Sequence, residues 1–390
     1  MSSRWKATSC FSPRFSTTRN SQRDCFVVKI VVDYHLTNAR ESGMARFIRE
    51  MLAHLQKQDP SLEFVLIDYD DMRALKTKPA KIVAVLKELL YTQFIIPFRS
   101  LKYGWDHLYF PNPPSPFLPL KGIILNIPDL SFWVQEKPFL PMRLYQWCVY
   151  AASANAARHI TTFSENSARD IIRVLKVPRE KITVIPLGVN DRYFATPNSP
   201  NIAKVKSKYG ITRPYILSVL GSFVPRKNAN DLIDAYAALS STVKQSVQLV
   251  FVGQKTDRYF AAITEYLRRQ SVNDDIVFTG LVTEEELLNL YAGARLFAFP
   301  SRYEGFGLPP LEAMAAGIPA IVYDNSSLPE IVSNAGILVA DKMELRDAIN
   351  KLLTEQNRCD QLIRAGKDRA LLFTWEKAAQ SLLKVFLERR

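Results

Sequence analysis

Cysteine and histidine are scarce in this sequence, with only four of each among 390 residues. Cys10, Cys25, Cys148 and Cys359 are far apart and show no C-x-x-C spacing. A disulfide scaffold and a zinc site are therefore excluded, and a reducing, cytoplasmic compartment is the simpler expectation.

Long uncharged apolar runs are also missing. The best candidate, residues 82–98, is interrupted by Lys87 and Glu88, and a membrane span requires about 18 apolar residues. The sequence thus predicts no membrane span. Residues 1–25 lack the apolar core of a secretory signal and carry five basic residues and one acidic residue. We expect this segment to be a disordered basic tail or the product of a start codon assigned too far upstream.

What the chain has instead is a globular composition, 47% hydrophobic and 23% charged, with a net charge of +13. Residues 1–200 hold 27 basic and 17 acidic residues, whereas residues 201–390 hold 24 and 21. An excess of this size predicts a polyanionic partner, and nucleic acid, anionic membrane and phosphorylated substrate all remain open.

Short β-branched apolar runs alternate with helix-period segments from residue 27 onward, the pattern of strands buried on both faces of parallel sheets. The predicted strands are 27–35, 62–68, 107–110, 122–129, 159–164, 182–188, 215–221, 248–253, 275–280, 295–300, 318–324 and 336–341. The rhythm breaks between Val189 and Pro214. The sequence therefore predicts an α/β protein of two doubly wound domains, with ligands at the carboxyl ends of the strands.

The richest segment for chemistry is 299–323, in which a strand is followed by Glu304, Gly305, Phe306 and Gly307 and then by a helix that carries Glu312. Glycines before a helix let the backbone approach a ligand, and the amides at the helix start favour a phosphate. The alternative is a glycine-rich turn with two solvated glutamates.

Two further clusters follow predicted strands. Arg226 and Lys227 come after strand 215–221 and could hold a diphosphate and neutralise it as a leaving group, unless they are a solvated surface pair. Gly43 begins a predicted helix after the first strand. It could let the backbone approach a ligand, or it could be a helix start with no ligand. His35 ends that strand and is a candidate acceptor contact.

Together these motifs resemble a retaining glycosyltransferase of family 4 with the GT-B fold, over about residues 27–390. In that family the E-x7-E motif matches Glu304, which implies a donor-sugar contact, and Glu312, which implies a ribose ligand. The resemblance also implies that Arg226 and Lys227 are the basic pair that binds the diphosphate. It also matches Gly43 to the first-domain glycine loop, and the S-E-x-S segment to Ser164, Glu165 and Ser167.

The resemblance implies two Rossmann-like domains facing a central cleft. We assign residues 26–195 to an acceptor domain, 196–373 to a nucleotide-sugar domain and 374–390 to a helix that returns to the first domain. One departure concerns the usual His-Asp-Leu, which here reads Pro128-Asp129-Leu130. Asp129 is carried over as a candidate sugar contact, with a capping role as the alternative.

The implied reaction is transfer of a hexose, best mannose from GDP-mannose, to a glycan or lipid-linked acceptor with retention. In it Arg226, Lys227 and the amides from Gly305 to Leu308 would stabilise the leaving diphosphate. A UDP-sugar donor is the next choice, and no metal or other cofactor is expected. The D-x-D at residues 68–70 is interpreted as a turn after a strand. A GT-B epimerase or phosphorylase, or a non-catalytic basic binding protein, remains an alternative; no nucleic-acid module is recognised.

The basic excess in the first half concentrates in residues 73–102, which interleave seven basic residues with apolar ones. This composition fits an interfacial segment on anionic lipid, and predicts peripheral membrane association. The alternative is an amphipathic helix packed on its own sheet with a solvated basic face.

Overall fold

The computed structural model describes residues 27–35, 43–67, 79–135, 140–195, 198–255, 258–269 and 275–388. Within them lie two six-stranded, all-parallel sheets. The first contains β1 Lys29–Asp33, β2 Glu63–Ile67, β3 His107–Phe110, β4 Ile123–Asn126, β5 His159–Thr162 and β6 Ile182–Val184. The second contains β7 Tyr215–Gly221, β8 Gln248–Gly253, β9 Ile276–Gly280, β10 Leu296–Phe299, β11 Ala320–Tyr323 and β12 Ile337–Val339.

Helices flank both sheets. They are α1 Gly43–Gln58, α2 Pro79–Leu90, α3 Ile96–Leu101, α4 Ser131–Val134, α5 Leu140–Ala156, α6 Glu165–Leu175, α7 Ser199–Lys208, α8 Ala229–Ala237, α9 Ser241–Ser246, α10 Arg258–Arg268, α11 Glu284–Ala292, α12 Leu308–Ala315, α13 Leu328–Val332, α14 Lys342–Thr354, α15 Gln356–Ala370 and α16 Trp375–Glu388. A π-helical turn, Tyr91–Ile95, joins α2 to α3.

The strand orders are β2-β1-β3-β4-β5-β6 and β12-β11-β10-β7-β8-β9. In each sheet the order reverses direction beside the first strand of its half, β1 or β7, which creates a crevice at the carboxyl edge. These crevices are where a doubly wound sheet binds its ligands.

All twelve predicted strands are present, and the predicted α/β GT-B architecture is confirmed. Several strands are shorter than predicted. β4 ends at Asn126, before Pro128, and β6 ends at Val184, before Pro186, because proline has no amide hydrogen to donate to a neighbouring strand. A capping box formed by Thr283 and Glu286 begins α11. The domain boundaries at residues 195 and 373 remain predictions.

The last helix packs against the first sheet's half of the molecule. The Gln58 amide donates to the carbonyl of Glu376, and His107 Nε2 lies 2.7 Å from the carbonyl of Phe386. Before α16 begins, the Val189 amide donates to the carbonyl of Phe373. The chain thus crosses from the second sheet back to α1 and β3, as the resemblance implies for residues 374–390.

Candidate active site

A cleft of about 550 Å³ lies between the two halves, at the carboxyl edges of both sheets. The predicted site residues Gly43, Asp129, Arg226, Lys227, Glu304, Gly305, Phe306, Gly307, Leu308 and Glu312 all line it. They come from the segments that follow four different strands, β1, β4, β7 and β10, which the parallel topology brings to one place.

A cluster of three charges occupies the second-domain wall of this cleft, with Glu304 buried and both cations only partly exposed. Lys227 Nζ lies 2.6 Å from Glu304 Oε1, and Arg226 NH1 lies 3.6 Å from Glu304 Oε2. The Ser301 hydroxyl also donates to Oε1, at 2.5 Å. Two cations around one carboxylate leave a net positive charge, the arrangement that attracts a diphosphate.

Burial and charge act in opposite directions on this cluster. Burial raises the pKa of Glu304, but the charges of Lys227 and Arg226 outweigh it, so the pKa lies below its usual range. Burial lowers the pKa of Lys227, and Glu304 offsets this only in part. Glu304 is therefore a carboxylate at neutral pH, which suits an acceptor of sugar hydroxyl hydrogen bonds and not a proton donor.

Gly305 is a point of close approach between the two halves. A β-carbon on Gly305 would lie 2.7 Å from the carbonyl oxygen of Pro128 and 3.0 Å from Asp129 Oδ2. The Gly305 carbonyl accepts hydrogen bonds from the hydroxyls of Ser164, at 2.8 Å, and Ser167, at 3.2 Å. The S-E-x-S segment thus holds the donor-side loop against the first domain.

Gly307 adopts a φ of +123°, a conformation that favours glycine, and a β-carbon there would lie 3.1 Å from Leu328 Cδ2. This turn leads directly into α12, whose first turn contains Pro309 and Pro310. The two prolines have no amide hydrogen, so Gly307 and Leu308 offer the amide donors at this helix start.

Glu312 is paired across the cleft. Arg46 of α1 contacts Glu312 Oε1 through NH1 at 2.5 Å, and the Tyr291 hydroxyl donates to Oε2 at 3.0 Å. Burial raises the pKa of Glu312, although Arg46 and Tyr291 oppose the rise. Burial lowers the pKa of Arg46, but the charge of Glu312 raises it, and the pKa of Arg46 lies above its ordinary value.

A second contact between the halves lies at the start of α6. The Glu330 carboxylate accepts the Glu165 amide at 2.9 Å and the Asn166 amide at 2.6 Å. Arg169 NH2 also lies 3.6 Å from Glu330 Oε1. A carboxylate of the second domain therefore satisfies two otherwise unpaired amides of a first-domain helix, where the helix dipole favours negative charge.

Three first-domain candidates differ in placement. Gly43 lines the cleft, and a β-carbon there would meet nothing within 4 Å. Asp129 also lines it, while its Oδ1 accepts the Ser131 amide at the start of α4, so both weighed roles have a structural basis. His35 is not among the lining residues. Its Nδ1 lies 2.7 Å from Asp33 Oδ1, and its ring contacts that of Tyr91.

The sequence reasoning missed Arg46, Tyr291, Ser301 and Glu330. Arg46 had a usable signal, because it follows Gly43 by less than one helical turn and so faces the same loop. Tyr291 lies on α11, remote in sequence from every motif, and only the fold brings it to Glu312. Glu330 lies within the part of the chain that the resemblance covers, about residues 27–390, but the resemblance gives it no role.

Among the residues that the structure describes, no group of three or more His, Cys, Asp or Glu side chains could hold a metal ion. The D-x-D of residues 68–70 lies outside them, as do residues 1–26. No helix in the described ranges is both long and apolar enough to cross a membrane.

The description "Glycosyl transferases group 1" belongs to the family whose model matches residues 201–369, the half that carries Arg226, Lys227, Glu304 and Glu312. The O-antigen chain mannosyltransferase B of Escherichia coli is 33% identical over 292 residues, 72% of this chain and 74% of that protein. The chain belongs to the group 1 glycosyl transferases. It is accordingly an enzyme that transfers a glycosyl group.

Other relatives and solved structures resemble this glycosyltransferase. The serotype-specific mannosyltransferase WbdA of Escherichia coli is 28% identical over 239 residues, 60% of this chain but only 29% of that longer protein. Sucrose-phosphate synthase from Thermosynechococcus elongatus has a TM-score of 0.72 at 19% identity, covering 93% of this chain and 98% of its own. Anabaena Alr3699/HepE, solved with UDP-glucose, has a TM-score of 0.70 at 16% identity, covering 92% and 99%. These structures support the GT-B fold of the glycosyltransferase.

Proposed function

We propose that this glycosyltransferase moves mannose from GDP-mannose to a hydroxyl of a glycan or lipid-linked glycan, with retention at the anomeric carbon. The observation that carries the proposal is the cluster of Arg226, Lys227 and Glu304 in the cleft, in which two cations surround one buried carboxylate. Mannose is favoured because relatives such as the O-antigen chain mannosyltransferase B and WbdA are named mannosyltransferases. Polysaccharide or glycolipid biosynthesis is the corresponding role.

In this proposal the bond between the anomeric carbon and the diphosphate oxygen breaks, and the acceptor oxygen bonds to the same face of that carbon. The acceptor proton passes to a diphosphate oxygen, and GDP leaves. Arg226, Lys227 and the amides of Gly307 and Leu308 stabilise the charge that develops on the diphosphate. No step requires a metal ion.

The two glutamates would have separate roles in donor binding. Glu304, a carboxylate held by two cations, accepts hydrogen bonds from the hydroxyls of the transferred sugar. Glu312, at the other end of the same segment, accepts hydrogen bonds from the ribose hydroxyls. The ribose then either binds Oε1 together with Arg46 or replaces Arg46 there. Asp129 stands beside Gly305 and is the first-domain candidate for a sugar contact.

The acceptor side of the proposal concerns the first domain. A lipid-linked acceptor would bring the enzyme to the cytoplasmic face of a membrane as a peripheral protein. The basic and apolar residues of 73–102 support contact with an anionic surface.

A donor panel tests this proposal. We expect GDP-mannose to raise the melting temperature of the purified protein more than GDP-glucose, UDP-glucose or UDP-N-acetylglucosamine does at equal concentration. NMR of the product should show the α-anomer that the donor carries. A larger stabilisation by a UDP-sugar would contradict the donor, and an inverted product would contradict retention.

Lys227→Ala tests the catalytic assignment. We expect kcat to fall by about 10²–10³-fold, as for loss of one charge-stabilising donor in an active site. Lys351→Ala, an exposed lysine at the end of α14, is the matched control and should leave kcat unchanged. Equal kinetics for the two variants would contradict the role of Lys227.

A further inference from the structure

A row of large apolar side chains faces solvent along the helical segment that runs from α2 through the π turn into α3. The exposed fractions are 60% for Leu86, 52% for Leu90, 59% for Phe94, 73% for Phe98 and 65% for Leu101. The spacing of three or four residues places these side chains on one face. The row is about 20 Å long, at 1.5 Å per residue.

The π turn helps to keep this row straight. In an α-helix of 3.6 residues per turn, a repeated spacing of four drifts by about 40° at each step. The wider π turn, Tyr91–Ile95, reduces that drift where Leu90 passes to Phe94. The result is a continuous apolar face, hereafter the apolar row, consisting of Leu86, Leu90, Phe94, Phe98 and Leu101.

The opposite face of the segment is anchored to the protein. Tyr91, Thr92, Ile96 and Ser100 are buried, and the Tyr91 hydroxyl donates to the carbonyl of Ile67 at the end of β2. The segment therefore packs one face against the protein, as the alternative for residues 73–102 requires, but its solvent side is apolar as well as basic. It buries one face and still presents large apolar side chains to solvent.

A neighbouring loop adds to the same surface. Phe117 and Leu118 are 37% and 72% exposed. Gln93, one residue before Phe94, holds this loop from both sides, because its amide donates to the Ser115 carbonyl and its Oε1 accepts the Phe117 amide. Seven large apolar side chains are thus gathered in one region, where monomeric proteins normally expose such side chains singly.

The charges beside the row select the partner. Lys87, Arg99 and Lys102 are exposed, and among the described residues none of them has a carboxylate within ion-pair distance. Glu88 is the single acid of residues 73–102, against seven basic residues. Apolar side chains bordered by exposed cations are the pattern of a helix that lies in the interface of an anionic bilayer.

We propose that the apolar row and Leu118 insert into the headgroup boundary of an anionic membrane, with Lys87, Arg99 and Lys102 on the lipid phosphates. This docking proposal rests on the proposed function in one respect, because the proposed purpose of docking is access to a lipid-linked acceptor. The position agrees with that use, because Tyr91 on the buried face contacts His35 at the end of β1. Docking therefore places the carboxyl edge of the first sheet, which forms the acceptor side, next to the lipid surface.

Vesicle sedimentation of the full-length protein tests the docking without any substrate. We expect binding to vesicles of phosphatidylglycerol and phosphatidylcholine at 0.1 M salt, with at least tenfold weaker binding to phosphatidylcholine alone. Phe94→Ser with Phe98→Ser should weaken anionic binding by at least tenfold, because both side chains lose apolar area that inserts. Arg99→Gln with Lys102→Gln should weaken it severalfold and reduce its salt dependence.

The matched control is Leu371→Ser with Leu372→Ser, an apolar pair in the other half that is also more than half exposed, at 56% and 54%. This control should bind vesicles like the wild type, and donor-dependent transfer to a soluble acceptor should be equal in all variants. Absence of wild-type binding, or an equal loss in the control, would overturn the proposal. So would a wild-type dimer that the Phe94 and Phe98 changes convert to a monomer, since a second copy would then cover the row. Failure of the soluble transfer assay alone would count against the proposed function instead.

Discussion

Arg46 on the first helix and Glu312 on the twelfth form an ion pair across the cleft, 266 residues apart in sequence. The Glu312 side chain is 5% exposed and that of Arg46 28%. The pair joins the two domains at the point where the donor ribose is proposed to bind. We therefore expect domain association and donor binding to affect each other.

A double-mutant cycle measures the coupling between Arg46 and Glu312. Arg46→Met leaves Glu312 buried without its cation, and we expect a loss of about 2–3 kcal/mol in unfolding free energy, measured by urea denaturation. Adding Glu312→Gln removes the unpaired charge and should recover about half of the loss. Strictly additive effects of the two changes would show that the pair is not coupled.

Glu330 should matter for catalysis beyond its value as a helix cap. Glu330→Ala removes the acceptor of the Glu165 and Asn166 amides and loosens the contact that sets Gly305 beside Asp129. We expect kcat to fall by about tenfold, with a loss of about 1 kcal/mol in stability.

The matched control for Glu330 is Asp341→Ala. Asp341 accepts the amides of Met343 and Glu344 at the start of α14, within one domain. Asp341→Ala should lower the free energy of unfolding by about the same amount, about 1 kcal/mol, and leave kcat unchanged. An equal fall of kcat in both variants would mean that Glu330 is only a cap.

Lys227 predicts an alkaline limb in the pH profile of kcat/KM. Burial lowers the pKa of Lys227, so activity should decline at a pH below the ordinary lysine value of about 10.4. Glu304 raises this pKa, and in Glu304→Gln the limb should therefore move to lower pH. Lys227→Arg should remove the limb, because arginine keeps its proton. A profile of the same shape in all three proteins would contradict the assignment.

Gly305→Ala should separate the domains at the sugar site. The added β-carbon would lie 2.7 Å from the Pro128 carbonyl oxygen, so one wall must move. We expect at least a 10²-fold loss of kcat/KM. Gly43→Ala provides the comparison, since that β-carbon meets no atom within 4 Å. It should leave the melting temperature of the free protein unchanged, whereas Gly305→Ala should lower it.

The sequence alone determined the sheets and the second-domain half of the site. Runs such as 215–221 and 248–253 are apolar throughout because both faces of a parallel strand are buried, and this signal is local. Arg226, Lys227, Glu304, Gly305 and Glu312 were also identifiable, since they lie within short motifs next to strand ends. Their roles in donor binding remain predictions.

Only the tertiary structure decided which groups meet. Arg46 and Tyr291 contact Glu312, and Ser164 contacts Gly305, although the partners are far apart in sequence. No motif or periodicity in the sequence predicts these contacts. The charge state of Glu304 and Lys227 likewise depends on burial and on each other, which are properties of the folded cleft. The exposed side of residues 86–101 was undecidable from composition, because a helix that is apolar on several faces must be packed before one face is left to solvent.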